Sequence, residues 1–204
     1  MIITLTGPSC SGKTTLESAM KMHGFTSLVS TTTRTQRVNE VSGRSYYFTS
    51  REAFVANRDA GMFVESIEFN GNFYAVSKRE VERVMRLGNP IVLIVEPNGL
   101  LQIRDYAEEE GLSIYSVFID CHPEVLASRF LQRFSVEYGP DRKAAVLETF
   151  ASRLAVMMTE ERDWVRDALV CPYDLVLESF SETTEKAVLK QLVSVGFNEK
   201  KVAA

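Results

Sequence analysis

Residues 7–14 read GPSCSGKT, and this octapeptide constrains the fold of the chain more than any other stretch. It matches the pattern G-x-x-x-x-G-K-[ST], it follows a short apolar run at Ile2–Thr6, and it precedes a segment of helical period at Lys13–Met22. A glycine-rich turn between a strand and a helix aims successive backbone N–H groups at an anion, and the helix N-terminus adds partial positive charge. The sequence therefore predicts a phosphate-binding P-loop.

The chemistry of a P-loop suggests a role for each position. Lys13 is expected to hold the β- and γ-phosphates of ATP, and the Thr14 hydroxyl is expected to ligate Mg²⁺. Cys10 is expected to be a small loop residue and not a nucleophile, because phosphoryl transfer needs no covalent sulfur intermediate. The structural alternative is a glycine-rich turn with a solvated lysine. The predicted ATP-binding residues of the loop are Gly7, Ser9, Cys10, Ser11, Gly12, Lys13, Thr14 and Thr15.

Short apolar runs alternate with longer segments of helical period along the chain, which is typical of an α/β domain with a parallel sheet. The strands are predicted at 2–6, 25–30, 90–96, 114–120 and 174–179, and the helices at 13–22, 51–59, 123–133, 140–169 and 182–195. Aromatic and charged residues alternate between 31 and 89, which predicts short antiparallel strands around the helix at 51–59. The polar stretch SVEYGPD interrupts the later helices and predicts a mobile lid.

These patterns predict a P-loop α/β fold with a central parallel sheet flanked by helices. We expect one domain over residues 1–204, with a core at 1–30 and 90–204, an inserted lobe at 31–89, and a lid at about 134–145. The net charge of −4 argues against a nucleic-acid partner and against binding to acidic membranes. The apolar runs are too short to span a bilayer, and three widely spaced cysteines indicate reduced thiols, so a cytoplasmic location is expected.

A second anion-binding pattern follows the first strand and helix. Residues 30–48 read STTTRTQRVNEVSGRSYYF, in which Arg34 and Arg37 lie three residues apart near a serine and tyrosines. Guanidinium groups bind phosphate oxygens in a bidentate fashion, and tyrosine hydroxyls add neutral donors. The alternative is that both arginines are ordinary solvated surface charges.

The stretch at 30–48 closely resembles the guanylate kinase motif S-x-T-T-R-x-x-R followed by G-E-x-x-G-x-x-Y-x-F. The resemblance extends through GMFVESIEFNGNFYAV at 61–76 and SRFLQR at 128–133, and it covers essentially the whole chain. It implies a P-loop kinase fold in which the inserted lobe at 31–89 binds a nucleoside monophosphate (NMP). It implies that the phosphate of this acceptor is held by Ser30, Arg34, Arg37, Tyr46 and Tyr74. It also implies that Arg129, Arg133 and Arg153 reach the ATP phosphates and the transferring group, with Arg142 as a competitor for the lid role. The catalytic set implied by this resemblance is Lys13, Arg34, Arg133 and Arg153.

The resemblance further implies that Glu65 and Glu96 accept hydrogen bonds from the ring N–H and the 2-amino group of guanine. Three positions depart from the family pattern. Val76 stands where a hydroxyl donates to the 6-oxo group, and Ser77 does not replace it because S-K-R-E at 77–80 predicts a helix cap. Ile94 stands where an aspartate is associated with the magnesium site. The VLES stretch at 176–179 lacks the Asn-Asp pattern that often contacts the adenine of the donor.

The sequence thus predicts an enzyme that uses ATP and Mg²⁺ to convert a purine nucleoside monophosphate, GMP or dGMP, to the diphosphate, as a monomer or a homodimer. Val76 leaves open an altered base specificity, for example for a 2,6-diaminopurine nucleotide. Two further alternatives are a guanylate-kinase-like module that binds phosphorylated peptides without turnover, and a sugar-phosphate kinase on the same fold. The complete P-loop and the paired carboxylates favour the nucleotide kinase over both.

Overall fold

The computed structural model describes residues 1–37, 40–69, 71–139, 144–168, 173–178 and 182–198. Its strands are β1 (Ile2–Thr6), β2 (Thr26–Ser27), β3 (Thr31–Thr32), β4 (Tyr47–Phe48), β5 (Phe63–Phe69), β6 (Asn72–Ser77), β7 (Ile91–Ile94), β8 (Ile114–Asp120) and β9 (Leu175–Glu178). Its helices are α1 (Lys13–Met22), α2 (Arg51–Asp59), α3 (Lys78–Met85), α4 (Pro97–Glu109), α5 (Pro123–Tyr138), α6 (Ala144–Met158), α7 (Glu160–Ala168) and α8 (Glu182–Asn198).

The central sheet is parallel, with strand order β2-β7-β1-β8-β9. All five residues of β1 are buried, and the strand pairs with β7 on one side and with β8 on the other. A strand buried on both faces needs helices above and below it. Accordingly, Leu16 of α1 and Leu192 of α8 pack on one face, and Val84 of α3 and Leu100 of α4 pack on the other. This arrangement confirms the predicted α/β fold with a flanked parallel sheet.

A second sheet, with order β4-β3-β6-β5, is formed by strands that lie between β2 and β7 in the chain. Phe54 of α2 is completely buried against Phe63 and Phe73, and these rings form the small core beneath this sheet. The β3–β6 and β5–β6 pairs are antiparallel as predicted, whereas the β3–β4 pair is parallel. The division of the chain into a core, an inserted NMP-binding lobe and a lid stays a prediction.

Several predicted boundaries were wrong. The strand expected at 25–30 is reduced to β2, and the helix expected at 140–169 is divided into α6 and α7. Helix α5 continues through Tyr138, so the first residues of the expected polar break are helical, and residues 140–143 lie outside the described part of the chain. Helix α4 was not predicted, although its buried residues Leu100, Ile103 and Ala107 have helical spacing. In the described ranges, no helix is both long enough and apolar enough to cross a membrane.

Candidate active site

The P-loop connects β1 to α1 and lies against the end of β8. Gly7 has φ +148°, and a Cβ atom at this position would lie 2.4 Å from the carbonyl oxygen of Ile119. Only glycine can approach the neighbouring strand this closely without moving the backbone. Gly12 also has a positive φ, of 109°, and it immediately precedes the first residue of α1. The two motif glycines therefore occupy positions whose backbone requires them.

Lys13 folds back over the loop that precedes it. Its Nζ atom donates hydrogen bonds to the carbonyl oxygens of Gly7 at 2.6 Å and Pro8 at 2.7 Å. Burial lowers the pKa of Lys13 to about 8, and the negative charge of Glu161 opposes this shift. Phosphate groups placed beside this ammonium would favour its charged form.

Three arginines line the cleft together with the P-loop. Arg129 of α5 donates from Nη1 to the carbonyl oxygens of Cys10 at 3.2 Å and Ser11 at 3.3 Å, which attaches α5 to the loop. Arg133 lies one turn further along α5, is exposed and lines the same cleft. The guanidinium of Arg153 of α6 lies 5.6 Å from the centre of the Phe130 ring. Arg142 lies outside the described residues.

The predicted acceptor clamp is assembled around Glu40. Arg34 donates from Nη2 to Glu40 Oε1 at 2.7 Å, and the backbone N–H of Arg37 donates to Glu40 Oε2 at 2.9 Å. Partial burial disfavours the charged carboxylate, but the hydrogen bonds from Arg34 and Arg37 outweigh burial and hold the pKa of Glu40 below its ordinary value. The Arg34 guanidinium lies 5.3 Å from the centre of the Tyr46 ring, which in turn contacts Tyr74.

Two carboxyl groups lie in the wall of the cleft. Glu65 of β5 is buried, and its Oε2 atom has no hydrogen-bond partner among the described residues. Burial raises the pKa of Glu65 to about 8, against the opposing effect of a hydrogen bond from the Val76 N–H. Glu96 follows β7, and burial together with the charges of Glu161 and Glu65 raises its pKa to about 8. Such carboxyl groups are suited to a ligand that brings its own N–H donors.

The side chain of Val76 lies in the hydrophobic core. It is completely buried and belongs to the cluster that includes Val81 and Leu93. Val76 does not appear among the described residues that line the cleft, although its N–H contacts the Glu65 carboxylate. Ser11 is also buried away from the cleft lining.

The other predicted residues are brought together in one open cleft with a volume of about 1600 Å³. The predicted residues that line it are Gly7, Ser9, Cys10, Gly12, Lys13, Thr14, Thr15, Ser30, Arg34, Arg37, Tyr46, Glu65, Tyr74, Glu96, Arg129, Arg133 and Arg153. The P-loop and the acceptor clamp therefore open onto the same space. A cleft that joins two anion-binding groups can hold two phosphorylated molecules at once.

Among the cleft residues that sequence reasoning missed, Glu40, Glu161 and Trp164 make contacts that shape the site. Glu40 lies inside the quoted arginine motif, so its spacing from Arg34 and Arg37 was available as a signal. Glu161 accepts hydrogen bonds from the backbone N–H and the hydroxyl of Ser9, at 2.5 and 2.6 Å, and Trp164 lines the cleft near Phe69. No local pattern around Glu161 pointed to the P-loop, because the contact joins positions 152 residues apart.

Comparisons with known proteins agree with this geometry. The family model described as guanylate kinase matches residues 1–137. The chain is 35% identical over 178 residues to a guanylate kinase of Symbiobacterium thermophilum, covering 86% of this chain and 77% of that protein. It is 30% identical over 197 residues to a human guanylate kinase, covering 91% and 94%. The fold is similar to that in a crystal structure of guanylate kinase from Anaplasma phagocytophilum, with a TM-score of 0.64, 23% identity, and coverage of 97% and 86%.

Proposed function

Because the chain belongs to the guanylate kinase family, it is a nucleoside monophosphate kinase, and we propose that it transfers the γ-phosphoryl group of ATP to GMP through the cleft residues described above. The observation that carries the proposal is that a P-loop and an arginine clamp line a single cleft, with two carboxyl groups in its wall. The P-loop suits the phosphates of the donor, the clamp suits the phosphate of the acceptor, and the carboxyl groups suit the N–H donors of guanine.

In this mechanism the residues act by positioning and by charge neutralisation. The P-loop amides and Lys13 hold the donor, while Arg34 and Arg37 hold the acceptor phosphate so that its oxygen faces the γ-phosphorus. Glu40 orients the Arg34 guanidinium through their 2.7 Å hydrogen bond. Arg133 and Arg153 neutralise the charge that develops on the transferred group. No covalent enzyme intermediate is required.

Thr14 fits a role as a ligand of Mg²⁺. Thr14 is exposed at the first turn of α1 and lines the cleft, and hydroxyl and phosphate oxygens are ligands that this ion prefers. When bound, Mg²⁺ neutralises charge on the donor phosphates.

Glu65 and Glu96 provide the basis for base selection. A guanine ring N–H and a 2-amino group would donate to these carboxylates, and the unpartnered Oε2 of Glu65 would gain a hydrogen bond. Adenine lacks both donors at that edge, so binding AMP would leave buried carboxyl groups without partners. Recognition of a different 6-substituent, as the Val76 departure suggested, stays a prediction.

The direct test measures formation of ADP and GDP from ATP and GMP with the purified protein, with dGMP, AMP and dTMP as competing acceptors. We expect turnover with GMP, and we expect the preference over AMP to be about 10²-fold or more, because unpaired polar groups in a closed site reject the wrong base strongly. Lys13→Met is expected to abolish turnover, while Lys190→Met, a change at an exposed lysine of α8, is expected to preserve it. Tight GMP binding without any turnover would instead indicate a binding module.

A further inference from the structure

Helix α7 places a carboxylate on the phosphate-binding loop. Glu161 is buried, with a relative exposure of 2%, and its two oxygens accept hydrogen bonds from the Ser9 N–H at 2.5 Å and the Ser9 hydroxyl at 2.6 Å. A backbone amide and a hydroxyl in a P-loop are the kind of donors that bind phosphate oxygens. The carboxylate thus uses donors that a bound nucleotide would need.

Glu161 also places negative charge next to the other charged groups of the donor site. Its charge acts on Lys13, whose ammonium is turned onto the carbonyl oxygens of Gly7 and Pro8, and on Glu96. A carboxylate and a polyanionic phosphate chain repel each other when they share one set of donors. Glu161 and the donor phosphates therefore compete for Ser9.

The same helix contacts the opposite wall of the cleft. Trp164 lies one turn after Glu161, and its ring lies 6.1 Å from the ring of Phe69 on β5, with the two planes inclined at 47°. β5 also carries Glu65 and belongs to the second sheet. A displacement of α7 would thus change the contact with the P-loop and the contact with β5, the strand that carries the base-reading Glu65.

We propose that Glu161 occupies the phosphate position at Ser9 in the nucleotide-free protein, and that a phosphate of the incoming nucleoside triphosphate displaces it and moves α7 and Trp164. This rests on the proposed function only in taking ATP as the ligand of the P-loop. Glu161 is then an internal competitor that couples donor binding to the position of α7.

The first test compares ATP binding to three full-length proteins without any acceptor present. Glu161→Gln keeps the size of the side chain but removes its charge, and we expect the Kd for ATP to fall about tenfold, because a larger fraction of the protein has an open loop. Glu160→Gln is the matched control, since it removes the same charge from an exposed neighbour on the same helix, and its Kd is expected to stay within about twofold of the wild type.

The second test uses Trp164, which is the only tryptophan in the chain, as a fluorescent reporter of α7. ATP is expected to change its emission in the wild type, and ATP-free Glu161→Gln is expected to have emission close to that of the ATP-bound wild type. Unchanged or weaker ATP binding in Glu161→Gln would overturn the proposal and indicate that Glu161 shapes the loop. Glu161→Ala is expected to give the same results, and it replaces the Gln variant if that protein does not fold.

These measurements separate the two proposals. If Glu161→Gln binds ATP more tightly than the wild type but the wild type does not phosphorylate GMP, the internal competitor is supported and the GMP kinase activity is refuted. A protein that phosphorylates GMP but whose Glu161→Gln variant has the wild-type Kd for ATP refutes the internal competitor alone.

Discussion

At the scale of single residues, the acceptor clamp and the P-loop each contain one donor group that is already bound to a carboxylate of the protein. Glu40 binds Arg34 in the acceptor clamp, and Glu161 binds Ser9 in the P-loop. The two contacts differ in whether a phosphate can bind while the carboxylate stays in place. A guanidinium has five N–H donors, so Arg34 can bind Glu40 and a phosphate together. Ser9 offers one N–H and one hydroxyl, and both are used by Glu161. We therefore expect Glu40 to remain in place during catalysis and Glu161 to leave.

Replacement of Arg34 tests the clamp. Arg34→Ala removes a charged donor that the acceptor phosphate needs and leaves Glu40 without its 2.7 Å partner. Loss of one member of a hydrogen-bonded charge pair costs about 2–5 kcal/mol, so kcat/KM for GMP is expected to fall by roughly 30- to 4000-fold. Steady-state kinetics at saturating ATP measure this loss, and the Kd for ATP is expected to be unchanged.

The matched control for this prediction is Arg86→Ala. Arg86 is 80% exposed at the end of α3, and its contact with Glu82 at 3.6 Å is a surface ion pair. Such pairs contribute about 0–1 kcal/mol, so this variant is expected to retain wild-type kinetics. Equal losses of GMP and ATP affinity in Arg34→Ala would mean that the side chain supports the whole cleft and is not specific to the acceptor.

At the scale of secondary structure elements, the sequence predicted those segments whose local pattern and tertiary environment agree. Helices α1 and α2 and strands β1 and β8 have the predicted bounds, since each combines a clear period with a recognisable start. Ser77 also caps α3 as expected, accepting a hydrogen bond from the Glu80 N–H at 3.2 Å. By contrast, β2 is limited to the two residues that pair with β7, and this length depends on a partner more than 60 residues away.

The same contrast holds in the cleft. The P-loop and the arginine clamp are contiguous motifs, so their residues could be predicted one by one from local sequence. Glu161 reaches Ser9 from α7, across 152 residues of sequence, and nothing in the helical pattern around Glu161 indicates that contact. Likewise, Val76 lies opposite Glu65 in the β5–β6 pair, so the two side chains share one face of the sheet, and the packing of Val76 in the cluster with Val81 is a tertiary contact that the local sequence does not show.

The packing of α8 on the central sheet depends on a glycine. A Cβ atom on Gly196 would lie 2.7 Å from the buried ring of Phe25 and 3.2 Å from Pro90. Gly196→Val is therefore expected to overpack this contact and to cost about 1–3 kcal/mol, which corresponds to a Tm lower by roughly 2–4 °C per kcal/mol. Thermal unfolding measures the effect, and kcat is expected to stay at the wild-type value because Gly196 lies away from the cleft lining.

Lys190→Val provides the control for this variant, because it introduces the same side chain at an exposed position of the same helix. Its Tm is expected to remain close to that of the wild type. If both variants lost the same stability, the loss would not be specific to the contact with Phe25; helix propensity would not explain it at Gly196, because valine is a better helix former than glycine.

At the scale of the whole molecule, the cleft is a cationic region in an acidic protein. The net charge is −4, yet among the described residues that line the cleft eight are lysines or arginines and six are glutamates. An excess of positive charge in a cleft attracts anionic ligands, while net negative charge elsewhere disfavours nucleic acid. The association of nucleotides is expected to be accelerated by this field.

The stability of the whole chain is expected to depend on pH through three titratable groups of the cleft, Glu65, Glu96 and Lys13. Burial raises the pKa of Glu65 and of Glu96 from 4.5 to about 8, so between these values the folded protein binds more protons than the unfolded chain. The unfolding free energy they contribute therefore falls as the pH rises through this window, by at most about 1.4 kcal/mol per pH unit for each proton. Burial lowers the pKa of Lys13 from 10.5 to about 8, so its contribution rises again above pH 8. These three groups together predict a minimum near pH 8 in the ligand-free protein.

Glu65→Gln measures the contribution of Glu65 to this pH dependence, and GMP is expected to change the sign of that contribution. Urea unfolding is expected to show that Glu65→Gln becomes progressively more stable relative to the wild type between about pH 5 and pH 8, because in this range the unfolded wild-type chain ionises Glu65 while the folded protein keeps the buried carboxyl group protonated. Guanine N–H donors favour the ionised carboxylate, so GMP binding releases a proton from wild-type Glu65 below pH 8. The stabilisation by saturating GMP should therefore grow with pH in the wild type and grow less in Glu65→Gln. If the difference in unfolding free energy between the wild type and Glu65→Gln did not vary with pH, with or without GMP, Glu65 would not be a titrating group of the base site.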